Sequence, residues 1–192
     1  MPSKKSAKKS AKRSGNKDEH HDKHHEVKDL RRAYEHLGRV EALQHSLGDL
    51  SEEAATSVHL AQQEFASGAT RNAAELLRAA EHFCFAALLK GSGDNRRVAG
   101  KLEMAIRDEF ERLAGKAEED WDGEAAHPAI AHLYTESLSS ARLAQRAGAD
   151  CQAMELVRAA EALAHVKAAK RPVAKPAKPV AARSNVRELA AS

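Results

Sequence analysis

The chain has 192 residues, 31 Lys/Arg against 28 Asp/Glu, and only seven aromatic residues. Alanine, the strongest intrinsic helix former, makes up about a fifth of it. This composition excludes a β-sandwich, which needs β-branched and aromatic strands. The longest apolar run is seven residues, far below the ~20 that span a bilayer, so no membrane span is expected.

The charge is divided along the chain. Residues 1–17 hold seven Lys/Arg and no acid, and residues 167–192 hold seven Lys/Arg and one acid, Glu188. Between them lie 17 basic and 27 acidic residues. Blocks of this kind mark interaction tails on a separate acidic body. The start, "MPSKKSAKKSAKRSG", lacks the apolar stretch of a secretory signal. Cys84 lies in the apolar run "FCFAALL" and Cys151 in a polar turn, at non-equivalent places, so no disulfide is expected. A reducing, cytoplasmic setting follows.

Taken in chain order, residues 1–25 form a disordered basic and His-rich tail with nothing to bury. A body over 26–168 begins with a helix whose apolar positions are Val27, Leu30, Tyr34, Leu37, Val40, Leu43 and Leu47, spaced by three and four. Ser51 caps a second helix, with Ala55, Val58, Ala61 and Phe65 inward and an end near Gly68. A third starts at about Thr70 and buries Leu76, Leu77, Ala80, Phe83 and Cys84. After "KGSGDN" a fourth helix, capped by Asp94 or Asn95, presents Val98, Leu102, Ile106, Phe110 and Leu113. "GKAEEDWDGEAAH" reads as an acidic loop, with Trp121 capping the core or exposed. Pro128 opens a fifth helix as its first residue. Gly148 closes it, and Asp150 caps a sixth that carries Ala153, Leu156, Val157, Ala160 and Leu163. Residues 169–192 form a disordered Lys/Pro/Ala tail.

One phrase occurs twice. "ELLRAAE" begins at Glu75 and "ELVRAAE" at Glu155. "LAQ" precedes the first by 15 residues and the second by 12. Each copy, about 54–90 and 136–168, is then a helical hairpin, the second shorter by three residues around the turn. The expected fold is all-α: an antiparallel bundle of about six helices built by internal duplication of a helical hairpin.

Gly68, Ala73, Leu77 and Ala80 resemble the small and bulky positions of a tetratricopeptide repeat, although no 34-residue period exists. "LAQQEFASGATRNAAELLRAAEHFCFAALL" is similar to the central hairpin of the HEPN helical bundles. HEPN ribonucleases carry an Arg followed by four to six residues and a His. "RAAEALAH" supplies Arg158 and His165, which lie ~20° apart around a helix. The resemblance implies His165 as general acid–base and Arg158 as phosphate stabiliser, across a homodimer interface. Against it, Ala159 stands where that family prefers a polar residue, and the first copy has Arg78 and His82 at a shorter spacing.

Two further constellations carry chemistry. In "HHDKHH", His20 pairs with His24 and His21 with His25 at helical i,i+4 spacing, which suits weak chelation of Zn²⁺ or Ni²⁺ or else a solvated, pH-sensitive linker. No other cofactor is expected. The ends, with Lys4, Lys5, Lys8, Lys9, Lys12 and Arg13 and then Lys170, Arg171, Lys175 and Lys178, resemble the Lys/Ala/Pro arms of linker histones. Lysines spaced by small residues neutralise phosphates without reading bases, or else form solubilising tails that fold back onto the acidic body. Three functions therefore stand open: a non-enzymatic helical interaction module whose tails contact nucleic acid, a HEPN-type ribonuclease, and a metal-handling protein. A protein partner or homodimer fits the first as well.

Overall fold

A computed structural model describes the backbone of residues 7–92, 101–123 and 126–167; side chains at 7–24, 92 and 101 lie outside that description. It holds six helices: α1 (Ala7–Leu47), α2 (Glu52–Ala66), α3 (Thr70–Ser92), α4 (Lys101–Asp120), α5 (Pro128–Arg146) and α6 (Asp150–Ala164). No strand occurs among the described residues. None of these helices is long and apolar enough to cross a membrane.

Helices α3 and α6 are central. α3 packs on α1, α2 and α6, while α6 packs on α3, α4 and α5. Burial follows from that position. Ala73, Ala74, Leu76, Leu77, Ala79 and Ala80 on α3, and Ala153, Leu156, Val157, Ala159, Ala160 and Leu163 on α6, are all buried. A helix apolar on nearly every side is one surrounded by others. The small Ala pairs within "RAAE" allow close approach where α3 crosses α6.

The two tight turns match at a spacing of 80 residues. Gly68 and Gly148 adopt φ of +82° and +76°, a left-handed conformation that costs a side chain but not glycine. Around the first, the Ala69 amide donates to the Glu64 carbonyl at 2.9 Å; around the second, the Ala149 amide donates to Ala144 at 2.9 Å. Ser57 and Ser137 are both buried, as are Ala61 and Ala141. The turns are thus equal in length, and the two "LAQ" strings do not occupy equivalent positions. The three-residue shortening inferred from them is corrected.

Other sequence expectations shift as well. α1 starts at Ala7, so the expected 25/26 boundary falls inside a continuous helix and 7–25 has helical backbone. No proline interrupts this stretch after Pro2, and Ala and Lys favour helix. Among the described side chains of α1, the first that is buried is Ala33. Within the expected acidic loop, Gly115–Asp120 belongs to α4, and Ala117 is fully buried. Ala55 and Leu102 are exposed rather than inward, because Ala54 and Ser57 face α3 and the start of α4 runs past its neighbours. Asp150 is the first residue of α6 rather than its cap, and its Oδ2 has no hydrogen-bond partner among the described residues.

Caps elsewhere follow the sequence. The Ala54 amide donates to Ser51 Oγ at 3.3 Å. Pro128 opens α5, where the Ala129 amide donates to His127 Nδ1 at 3.2 Å. Trp121 lies over the core, stacked on Tyr134 with ring centroids 4.0 Å apart. The expected cap of the fourth helix at Asp94 or Asn95 and the tail 169–192 lie outside the described residues.

Candidate functional site: a buried charge ladder

The repeated phrase supplies more than apolar packing. Each "EL-x-RAAE" places two glutamates six residues apart with an arginine midway between them on a central helix: Glu75, Arg78 and Glu81 on α3, and Glu155, Arg158 and Glu161 on α6. Glu75 and Glu81 are among the few buried polar residues. A buried carboxylate needs a partner, because desolvation without one is costly, and each of these has at least two.

Arg78 Nη2 donates to Glu161 Oε2 at 2.9 Å, and Lys116 Nζ of α4 donates to the other oxygen of Glu161 at 2.6 Å. His82 Nδ1 lies 2.7 Å from Glu155 Oε2, and Arg158 Nη1 donates to Glu155 Oε1 at 2.7 Å. Glu81 takes His36 Nδ1 of α1 at 2.6 Å and Arg39 Nη1 at 3.3 Å. Glu75 lies at ion-pair distance from Arg32 Nη2 of α1 (3.6 Å) and Arg78 Nε (3.3 Å), while neither Glu75 Oε2 nor Arg78 Nε makes a hydrogen bond among the described residues. These pairs fix register: residue 78 meets 161 and 82 meets 155, so α3 and α6 run in opposite directions. Asn72 ties the end of α6 to the start of α3 by donating to the Lys167 carbonyl at 2.7 Å.

The ladder alters its carboxyl groups. Burial raises the pKa of Glu155, but the hydrogen bond and charge of His82 and the Arg158 guanidinium outweigh it, leaving the pKa below its ordinary 4.5. Glu161 is likewise pulled up by burial and further down by Lys116 and Arg78, and Glu81 is pulled up by burial and further down by His36 and Arg39. A lowered native pKa means the unfolded chain takes up protons first as pH falls. This stabilisation is complete above the ordinary carboxyl value of 4.5 and is lost as pH falls through the lowered native values. We therefore expect the urea midpoint to hold between pH 6 and 5 as far as these groups govern it, and to drop as pH falls below 4.5. Glu155→Gln should shrink that drop; an unchanged acid limb in the variant would contradict the coupling.

The residues expected to carry catalysis fall at two places on this ladder. Arg158 is exposed and bound to Glu155. His165 ends α6, with Nε2 3.0 Å from Asp120 Oδ2 and Nδ1 4.0 Å from Glu75 Oε2. Seven residues of helix separate them by a rise of about 10 Å, and they share no carboxylate. Of the expected metal ligands, His20, His21 and His24 lie on α1 with side chains outside the described residues, and His25 is exposed. No group of three metal-ligating side chains occurs among the described residues. Lys8, Lys9, Lys12 and Arg13 lie on the α1 backbone, while Lys4, Lys5, Lys170, Arg171, Lys175 and Lys178 lie outside the described residues.

Sequence reading missed Glu75, Glu81, Glu155 and Glu161, and with them His36 and His82. The available signal was the repetition of both glutamates at matching places in the two phrases. No family model, curated protein or solved structure matches the chain.

Proposed function

We propose that the chain is a non-enzymatic helical interaction module, a three-helix unit present in two copies, whose basic ends contact nucleic acid without reading sequence. The duplication accounts for the matching turns at Gly68 and Gly148, the buried Ser57 and Ser137, and the glutamates 75/155 and 81/161.

The segregation of charge carries the functional reading. Fourteen Lys/Arg lie in the two end segments, while the region between holds ten more acids than bases. Within the body, Arg32, Arg39, Arg78, Lys116 and Arg158 are already engaged with carboxylates. Their charge is offset locally, and the ends are left as the concentrated source of positive field. Such a source attracts phosphate backbones through counterion release. The same engagement favours a scaffold over a ribonuclease, since Arg158 and His165 each serve a different carboxylate.

Neutralising Lys4, Lys5, Lys8, Lys9, Lys12, Arg13, Lys170, Arg171, Lys175 and Lys178 to Gln should abolish binding to mixed-sequence duplex DNA and single-stranded RNA, read by fluorescence anisotropy, with the helical circular dichroism of the body retained. Undiminished binding by that variant would refute the proposal. RNA cleavage by the purified chain that disappears with His165→Ala would replace it with the ribonuclease reading.

A further inference from the structure

A groove of about 420 Å³ lies between α2 and α5, on neither of which the ladder depends. Its floor is Ala129 and the buried Leu133, and its walls carry Glu52, Glu53 and Glu136, with His132 beside them. All three carboxylates are exposed, and none has an ion-pair partner among the described residues. The groove therefore offers an apolar strip between unpaired negative charges.

We infer that this groove docks the chain's own C-terminal segment 170–183, "KRPVAKPAKPVAAR". The composition is complementary: five Lys/Arg, no acid, and apolar Pro, Val and Ala between them. Prolines 172, 176 and 179 disfavour a helix and favour an extended polyproline II strand, with three residues per turn. That period sets Lys175 and Lys178 on one edge and Val173, Pro176 and Pro179 on another. One edge suits the carboxylates and the other the Leu133 floor.

The exit point of the chain fits the same occupant. α5 and α6 are joined by a three-residue turn and pack on one another, so the first half of α5 lies beside the last half of α6. Lys167, held by Asn72, is the last described residue and follows that end of α6. The dozen residues after it reach about 37 Å when extended, well beyond the ~10 Å of α5 from Ala129 to Glu136. The N-terminal basic segment is placed differently: helical backbone runs roughly 40 Å from Ala7 to Ala33, the first buried position among the described side chains of α1. In combination with the nucleic-acid reading proposed above, on which this last consequence rests, a docked tail is withheld from phosphate until a polyanion displaces it.

The test uses the full chain carrying Cys151→Ser and Ala177→Cys. A nitroxide at 177 is the probe. Cys84 is buried, and burial together with the Glu81 charge pushes its thiol up to about 11, so it does not compete for the label. Paramagnetic broadening of the amides at 52–56 and 129–136 is expected at low salt. It should fall severalfold in Glu52→Gln/Glu53→Gln/Glu136→Gln, and equally in Lys175→Gln/Lys178→Gln, which leaves the folded body untouched. Absence of broadening, or broadening undiminished in both variants, would overturn the inference. Broadening seen only when label and isotope sit on different chains would assign the groove to a second copy. Broadening from a label at residue 3 in place of 177 would assign it to the N-terminal segment. Either result overturns it too. None of these readouts involves nucleic acid, so failure here leaves the binding proposal standing.

Discussion

Phe110→Ala should lower the free energy of unfolding by about 3–5 kcal/mol, the usual cost of emptying a buried aromatic site. Phe110 is 2% exposed and is among the largest fully buried side chains of the protein. It lies on α4, which packs on α6, so its loss leaves a cavity beside a central helix. In a chain of this size the change corresponds to a fall in Tm of roughly 10 °C, readable by circular dichroism. Leu102→Ala is the matched control. Periodicity puts Leu102 on the same stripe, yet it is 59% exposed, and its truncation should shift stability by less than about 0.5 kcal/mol. Equal losses from both variants would show that α4 does not pack as described.

Glu81→Ala should cost about 1–3 kcal/mol, the range for a charged hydrogen bond lost at a buried site. Glu81 holds α1 to α3 through His36 and Arg39, and its side chain is 9% exposed. Removing it leaves His36, itself 13% exposed, without its carboxylate partner. A double-mutant cycle of Glu81→Ala with His36→Ala separates the pair from general disruption. A coupling of at least ~0.5 kcal/mol is expected, since contacting partners do not act independently. The Arg142–Glu118 pair, half-exposed on both sides, provides the contrast; its coupling should stay within ~1 kcal/mol, the usual range for solvent-facing pairs. Additive losses at positions 36 and 81 would reduce the ladder to incidental surface pairing.

The helices and the central pair were legible in the sequence because their signals are local. Leu76, Leu77, Val157 and Leu163 recur at helical spacing, Gly68 and Gly148 end their helices, and Ser51 and Pro128 start theirs. Gly115 and the acids after it suggested a loop, but Ala117 is fully buried and Lys116 pairs with Glu161 of α6, and tertiary packing overrides a weak local preference. The ladder was harder to read. A glutamate in a helix is ordinarily solvated, and the groups that make burial tolerable for Glu81 and Glu161 come from 42 to 83 positions away in the chain. Arg158 and His165 looked paired because helical angle alone was considered; the axial rise between them, and the separate claims of Glu155 and Asp120, emerge only in three dimensions.

The ends of the chain show the opposite balance. Their charge is plain from composition, seven Lys/Arg without an acid in residues 1–17, and the phosphate contacts proposed for them would need no fold. What composition does not contain is direction. A helical backbone from Ala7 gives the N-terminal charges a line along which to project, whereas the prolines at 172, 176 and 179 break any such line. The two ends are therefore not interchangeable, and the acidic α2/α5 groove is matched to only one of them.

The most direct measurement is the affinity of the full chain for a mixed-sequence DNA duplex at salt concentrations from 50 to 200 mM, beside the same titration for residues 26–167. If the ends make six to ten phosphate contacts, the full chain should lose about 10³- to 10⁵-fold in affinity across that range, and the shortened chain should not bind at the lowest salt. Retention of affinity by 26–167, or a full-length affinity indifferent to salt, would contradict the division between an acidic scaffold and phosphate-seeking ends.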